Sequence, residues 1–398
     1  MLKKINYIST NRKIYKNIIL KTIYENFLTT RKNIANLTGI NIPTVYNIVS
    51  DLLKNGLITQ TGYDKSNGGR KSDFLSINSS IGYVIGVGVE QNYINVILTD
   101  FCGNIKIRKK IDYETKENEI KTQYILDKLI ECINYVLLES KKYKYKIFGI
   151  GIGIPGIIDK TRTTGIFNVH ISDWHNISFK EIIYKKFKLP VFIENKNNLA
   201  ALAETRYHKI YKDLIYLNVD TGVGIGIIIE GKIYTGFNGT SGEFGHIIVS
   251  NNGRTCICGN NGCIESFISI PSIISQLKES ISQGVYTILP SKFGFEEILN
   301  AFYSKDKLVL NTINNVAKFL SIGVLNLINI FNPGIIVIGG RIIEFGNYLL
   351  NLVNQNVSSL MWEGNKRNIP EILFSKLGFD NQALGAAEFV ISNSLNKI

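Results

Sequence analysis

Four side chains carry the most specific chemistry in this chain of 398 residues. Cys256, Cys258 and Cys263 form a C-x-C-G-x-x-G-C run, and His246 precedes it by ten residues. Three thiolates and one imidazole make a closed tetrahedral set for zinc. Four protein donors leave no open position, so such a zinc is structural and pins His246 to the 256–263 loop. A reduced, metal-free cluster is the alternative. Glu243 stands three residues before His246, and Glu265 two after Cys263. A metal would draw both carboxylates to one place. Two carboxylates and an imidazole suit the hydroxyls of a sugar. A surface or capping role is the alternative for each Glu.

Regular elements must hold that loop. From residue 81 onward, strand-like runs (83–89, 94–99, 147–154, 191–193, 214–219, 225–229, 335–338) alternate with helical stretches (120–138, 198–208, 311–329). The alternation predicts an α/β fold. Gly-rich segments recur at 149–156, 222–226 and 339–340. Gly lets a backbone approach a phosphate or a neighbouring strand closely, and each segment is open to both readings.

The first eighty residues have another texture. Ile14, Ile18, Ile19 and Ile23 recur at helical spacing. A second helix is predicted over 30–37 with Thr30 as its cap, and a third over 42–55 with Asn41 as its cap and Pro43 in its first turn. A turn with Gly39 joins them. Ile34, Leu37, Ile40, Val45, Ile48, Val49 and Leu52 would form a small core. Two strands, 57–61 and 74–78, flank a polar Gly-rich loop at 64–72. Helix, turn, helix and wing make a winged helix-turn-helix. Asn41, Thr44, Tyr46, Asn47 and Ser50 on the third helix can reach base edges and phosphates in a major groove. Arg70 and Lys71 at the loop tip suit a minor groove. The charge agrees: residues 1–80 hold twelve Lys/Arg against four acids, a net +8 of the chain's +13. A compact basic segment suits a polyanion such as DNA. A trihelical protein-interaction module is the alternative.

Composition bounds the rest. The length predicts two or three domains, and an apolar fraction of 45% suffices for packed cores. No run of roughly 18–20 apolar residues is apparent, and the polar N-terminus lacks a secretory signal, so a cytoplasmic location without membrane attachment is expected. Disulfides are not expected there. Cys102 and Cys132 read as small apolar side chains.

These residues resemble the ROK family of sugar kinases and repressors. Gly242-Glu243-Phe244-Gly245-His246 resembles its E-x-G-H element, and Cys256–Glu265 its cysteine element. Gly151–Gly156 and Asp220-Thr221-Gly222-Val223-Gly224 resemble two more. The likeness runs from about 82 to 388. The winged helix in front resembles the repressor branch, and residues 94–100 and 174–204 look most like xylose repressors. The resemblance implies a winged helix at 1–79 and a two-lobed, actin-like (ribonuclease-H-like) body at 80–398. One lobe would span about 80–195 plus the C-terminal helix, the other 196–380. Asn168, Asn195, Glu243, His246 and Glu265 match the family's sugar contacts, and Lys196 could add a hydrogen bond.

Two catalytic elements depart from the kinase pattern. The phosphate loop reads Gly88-Val89-Glu90-Gln91-Asn92, without its carboxylate. The position of the proton-accepting Asp holds Lys196, a poor general base at neutral pH. The resemblance therefore implies a sugar-responsive repressor, not an enzyme, with operator DNA and a sugar as partners and a homodimer or dimer of dimers as the assembly. An active sugar kinase with an appended DNA-binding domain is the alternative.

Overall fold

The computed structural model describes the chain apart from residues 1, 64–72, 114–120, 144–145, 169–170, 172, 252, 365, 367–368 and 396–398, and the side chains of 2–11 and 63. Helices α1 (Leu2–Asn26), α2 (Arg31–Thr38) and α3 (Ile42–Lys54) open it. Thr30 accepts from Asn33 N to cap α2, and Asn41 accepts from Thr44 N to cap α3. Gly39 between them takes φ 68°, in the left-handed region. Strands β1 (Ile58–Tyr63) and β2 (Asp73–Ile77) pair antiparallel. The predicted wing, with Arg70 and Lys71, lies outside the described residues.

The core of this segment differs from the expected one. Leu37 is 57% exposed, in the last turn of α2 beyond the core's edge. Ile14 and Ile18 also face solvent, and α1 contributes Ile19, Leu20, Ile23 and Tyr24 instead.

Two sheets with one topology follow. β3 (Tyr83–Val89), β4 (Tyr93–Asp100) and β5 (Ile105–Asp112) form an antiparallel meander. After α4 (Thr122–Ser140), β6 (Ile147–Ile154) joins β3 in parallel. A small sheet of β7 (Ile157–Ile158), β8 (Gly165–Phe167) and β9 (His175–Ile177) precedes α5 (Phe179–Phe187) and β10 (Val191–Asn195), giving the order β10-β6-β3-β4-β5. Helix α6 (Lys196–Tyr207) leads to a second meander, β11 (Leu214–Val219), β12 (Val223–Ile229) and β13 (Lys232–Ile233). Helices α7 (Glu265–Ile268), α8 (Ile270–Ser282), α9 (Phe295–Tyr303) and α10 (Lys307–Phe331) precede β14 (Ile335–Gly339). After α11 (Gly346–Leu360), β15 (Glu371–Phe374) completes the order β15-β14-β11-β12-β13. Helix α12 (Asn381–Ser394) closes the described chain. The repeated sheet is the two-lobed α/β arrangement that the sequence implied.

Helix α12 packs on β3 and β6, α6 on β11 and β12, and the two helices on each other. The approach is close. A Cβ on Gly151 would lie 2.2 Å from Ala386 O, and one on Gly226 2.0 Å from Asn197 O. At these two positions the strand glycines serve packing, not phosphate. On its outer side α12 meets the N-terminal helices. Ala387, Val390, Ile391 and Leu395 share one core with Ile19, Leu20 and Ile23. Each fully buried aliphatic side chain is worth about 2 kcal/mol.

Helix α10 corrects the expectation about apolar runs, since it is long and apolar enough to cross a membrane. It is a core helix here. Leu308, Val309, Ile313, Val316, Leu320, Val324 and Leu327 are buried in the second lobe.

Glu204 of α6 is fully buried, accepting from Ser375 Oγ and from Asn381 Nδ2 at 3.0 Å. Burial pushes its carboxyl up from 4.5 to about 7 against those bonds. Between those values the folded state holds a proton that the unfolded chain releases, so stability falls as pH rises through the window. Glu204→Gln is expected to raise the urea-unfolding free energy at pH 8 by on the order of 2 kcal/mol, with little change at pH 4.5. Equal effects at both pH values would contradict this.

Candidate functional site

The cleft between the lobes collects six of the residues singled out above. Asn168, Asn195, Lys196, Glu243, His246 and Glu265 all line one cavity of about 510 Å³. Local structure places each of them. Asn168 is buried just past the end of β8. Asn195 ends β10 and caps α6: its Oδ1 accepts from Asn197 N at 2.8 Å, and its Nδ2 donates to Gly156 O at 3.0 Å. Glu265 opens α7 and accepts from Val223 N at 2.8 Å. Glu243 opens onto the cleft, and the enclosing walls push its carboxyl above the usual range. Burial does the same to Glu265. Asn197, Asn218, Thr221 and Ser241 also line the cavity. The sequence reading missed them, although Thr221 belongs to a recognised glycine element and Asn218 lies two residues before Asp220 in it.

Beside the cleft, His246, Cys256, Cys258 and Cys263 place their donor atoms within 4.8 Å of one another. Cys258 Sγ and Cys263 Sγ are 3.7 Å apart, and Cys256 Sγ is 3.7 Å from His246 Nδ1. Thiolates bound tetrahedrally at about 2.3 Å from zinc would be separated by about 3.8 Å. The donor set thus fits a metal ion. With Nδ1 turned to the thiols, Nε2 would carry the ring proton, and His246 also lines the cleft. Burial pushes the Cys256 thiol up to about 12, so metal loading displaces a proton there.

The two departures from the kinase pattern meet in space. Lys196 Nζ pairs with Glu90 Oε2 at 2.5 Å, and both side chains are largely buried. Gln382 Nε2 donates to the other oxygen, Glu90 Oε1. The sequence shows Glu90 only as part of a loop that departs from the kinase pattern, since its partner is 106 residues away. Lys196 lines the cavity just described, and Glu90 lines a neighbouring one of about 380 Å³ with Asp220, Gly340 and Arg341. The ion pair therefore stands between two compartments. In the second, Asp220 Oδ1 accepts from Arg341 Nε at 3.1 Å.

The cap Asn41 and, on α3, Tyr46, Asn47 and Ser50 are exposed, and Thr44 is half-buried. Asn41 Oδ1 is engaged as the cap, and Ser50 Oγ donates to Tyr46 O. The Arg31 guanidinium lies 5.3 Å from the centre of the Tyr46 ring. The row is thus presented on one helix away from the core residues Val45, Ile48, Val49 and Leu52.

The family model described as ROK family matches residues 84–393. The chain belongs to the ROK family. It is 34% identical over 389 residues to the Xylose repressor of Bacillus subtilis (strain 168), covering 97% of each chain. A solved ROK-family transcriptional regulator, a homologue of the E. coli MLC protein, superposes with a TM-score of 0.79 at 24% identity, covering 97% of this chain and 96% of that one. A ROK-family glucokinase from Streptomyces griseus, solved with glucose and AMPPNP, superposes with a TM-score of 0.68 at 26% identity. It covers 77% of this chain and 99% of its own. The kinase therefore has no counterpart for nearly a quarter of this ROK chain, whereas the repressor spans it end to end.

Removing one partner of the ion pair leaves a buried charge alone, which costs about 3 kcal/mol. Glu90→Ala is expected to lower the urea-unfolding free energy by that amount. Glu90→Gln combined with Lys196→Met is expected to recover most of it. A double variant as unstable as the single one would show that the pair is not what Glu90 contributes.

Proposed function

We propose that this chain is a sugar-responsive transcriptional repressor whose kinase-like cleft binds its effector without phosphorylating it. The end-to-end match to a protein named as a xylose repressor carries the reading. The Glu90–Lys196 pair supports it, because a cation held by a buried carboxylate cannot take a proton from a sugar hydroxyl. The chain divides into a DNA-reading part, 1–79, and a sugar-binding body, 80–398. Asn41, Thr44, Tyr46, Asn47 and Ser50 read operator DNA, with Arg70 and Lys71 at the wing. Asn168, Asn195, Lys196, Glu243, His246 and Glu265 hold the sugar, and xylose is the first candidate.

A homodimer, or a dimer of dimers, sets two α3 helices on an inverted-repeat operator in the cytoplasm. Sugar favours one arrangement of the lobes over the other, and the paired helices lose the half-site spacing. Zinc on His246, Cys256, Cys258 and Cys263 is structural. When bound it would neutralise the thiolates and brace the segment carrying His246 and Glu265 against the cleft.

DNase footprinting of the regions upstream of the protein's own gene and of sugar-utilisation genes tests the function. An inverted repeat protected by the chain and released by D-xylose or another sugar is expected. The absence of any protected site would overturn the reading. For the metal, elemental analysis is expected to find one zinc per chain. Cys258→Ser, altering the most exposed of the three thiols, is expected to lose it and to weaken sugar binding by about tenfold, in the range seen when groups supporting a site are removed. Full sugar affinity in the zinc-free variant would contradict the bracing role.

A further inference from the structure

We propose that Glu90 and Gln382 are positioning residues that carry occupancy of the sugar cleft to α12, and through α12 to the DNA-reading helices. The inference rests on the sugar-binding reading above and adds the residues that transmit it. The contacts form an unbroken series. Lys196 lines the cleft and holds Glu90, and Glu90 accepts from Gln382 in the first turn of α12. Further along α12, Glu388 pairs with Arg206, which donates to Tyr24 Oη of α1 at 2.7 Å. Beside that pair, Val390, Ile391 and Leu395 share a core with Ile19, Leu20 and Ile23.

The series has little slack at its start. Glu90 is 7% exposed and Gln382 6% exposed. A Cβ on Gly88 would lie 3.1 Å from Gln382 Cβ, so the glutamine rests directly on the backbone of β3. A sugar hydroxyl that accepts from Lys196 competes for an ammonium that Glu90 already holds. The buried carboxylate must keep its charge paired, so it follows the ammonium or takes more from Gln382.

Buried acceptors also gather at the start of α12. Among the described residues, Gln382 Oε1, Asn381 Oδ1 and Asn95 Oδ1 are buried without a protein partner. Asn95 bonds Asp380, the residue that precedes Asn381 and Gln382. Two of these acceptors lie in the first turn of α12 and the third on β4 beside it, and together they mark a junction that a second arrangement can satisfy better.

The test uses the full chain, with D-xylose, D-glucose and N-acetylglucosamine as probes. Calorimetry measures each sugar's affinity. Hydrogen exchange of residues 19–24 and 390–395 is then followed with and without the sugar that binds most tightly. In the wild type that sugar is expected to change exchange in both segments by about fivefold or more. Gln382→Met, which keeps the volume and the Glu90–Lys196 pair, is expected to retain the affinity and to lose the sugar-dependent change. Gln382→Asn, too short to reach Glu90, is expected to behave alike and guards against a folding defect in the first variant. Either variant responding as the wild type does overturns the relay. Sugar binding with no change in the wild-type segments overturns the relay alone. No heat with any of the three sugars overturns the sugar-binding reading and the relay with it.

Discussion

A carboxyl taken out of water either holds a proton more tightly, as Glu204 does, or keeps a cation beside it, and Glu90 keeps Lys196. That requirement couples two substitutions that look independent along the chain. A glutamate in the phosphate loop alone would be an unpaired buried charge. A lysine at the position of the catalytic base alone would be an unpaired cation. Together they satisfy each other, and Gln382 satisfies the remaining oxygen. The same pairing explains why the cleft is not one step from a kinase. Replacing Lys196 by an acid would set two carboxylates side by side, and one of them would have to stay protonated.

The second constraint is the closeness of α12 and α6 to the sheets. Helix backbones rest on strand backbones at Gly151 and Gly226, and neither has room for a side chain. Because α12 packs on the first sheet, on α6 and on the N-terminal core, it touches each part of the molecule that the proposed response must involve. The zinc-type cluster acts differently. Its four donors all come from one short segment, 246–263, beside the cleft.

Much of this was legible in the sequence because much of it is local. Thr30, Gly39 and Asn41 specify their caps and turn within four residues. The cysteine run and His246 lie within 18 positions of one another, and they converge. Strand 147–154, rich in Ile and Gly, and strand 214–219, largely apolar, are legible with their bounds because both faces are buried. Strand β5 was not found: Ile105–Asp112 is an edge strand carrying Lys106, Arg108, Lys109 and Lys110, whose charges mask its period. Helical spacing alone places Leu37 in the core, because spacing cannot tell where a small core ends. Helices α8 and α9 do carry local start signals, Ser269 with Pro271 and Gly294 with Glu297, which the helical stretches named above do not include. The Glu90–Lys196 pair could not be read at all, because nothing in either segment names a partner 106 residues away.

The cleft is proposed to hold a sugar and leave it unchanged. One NMR sample of the full chain with magnesium ATP, D-xylose and D-glucose tests both halves. Saturation transfer from the protein to at least one sugar is expected, while the phosphorus spectrum shows no sugar phosphate over hours. A growing sugar-phosphate resonance, or no transfer to either sugar, would contradict it.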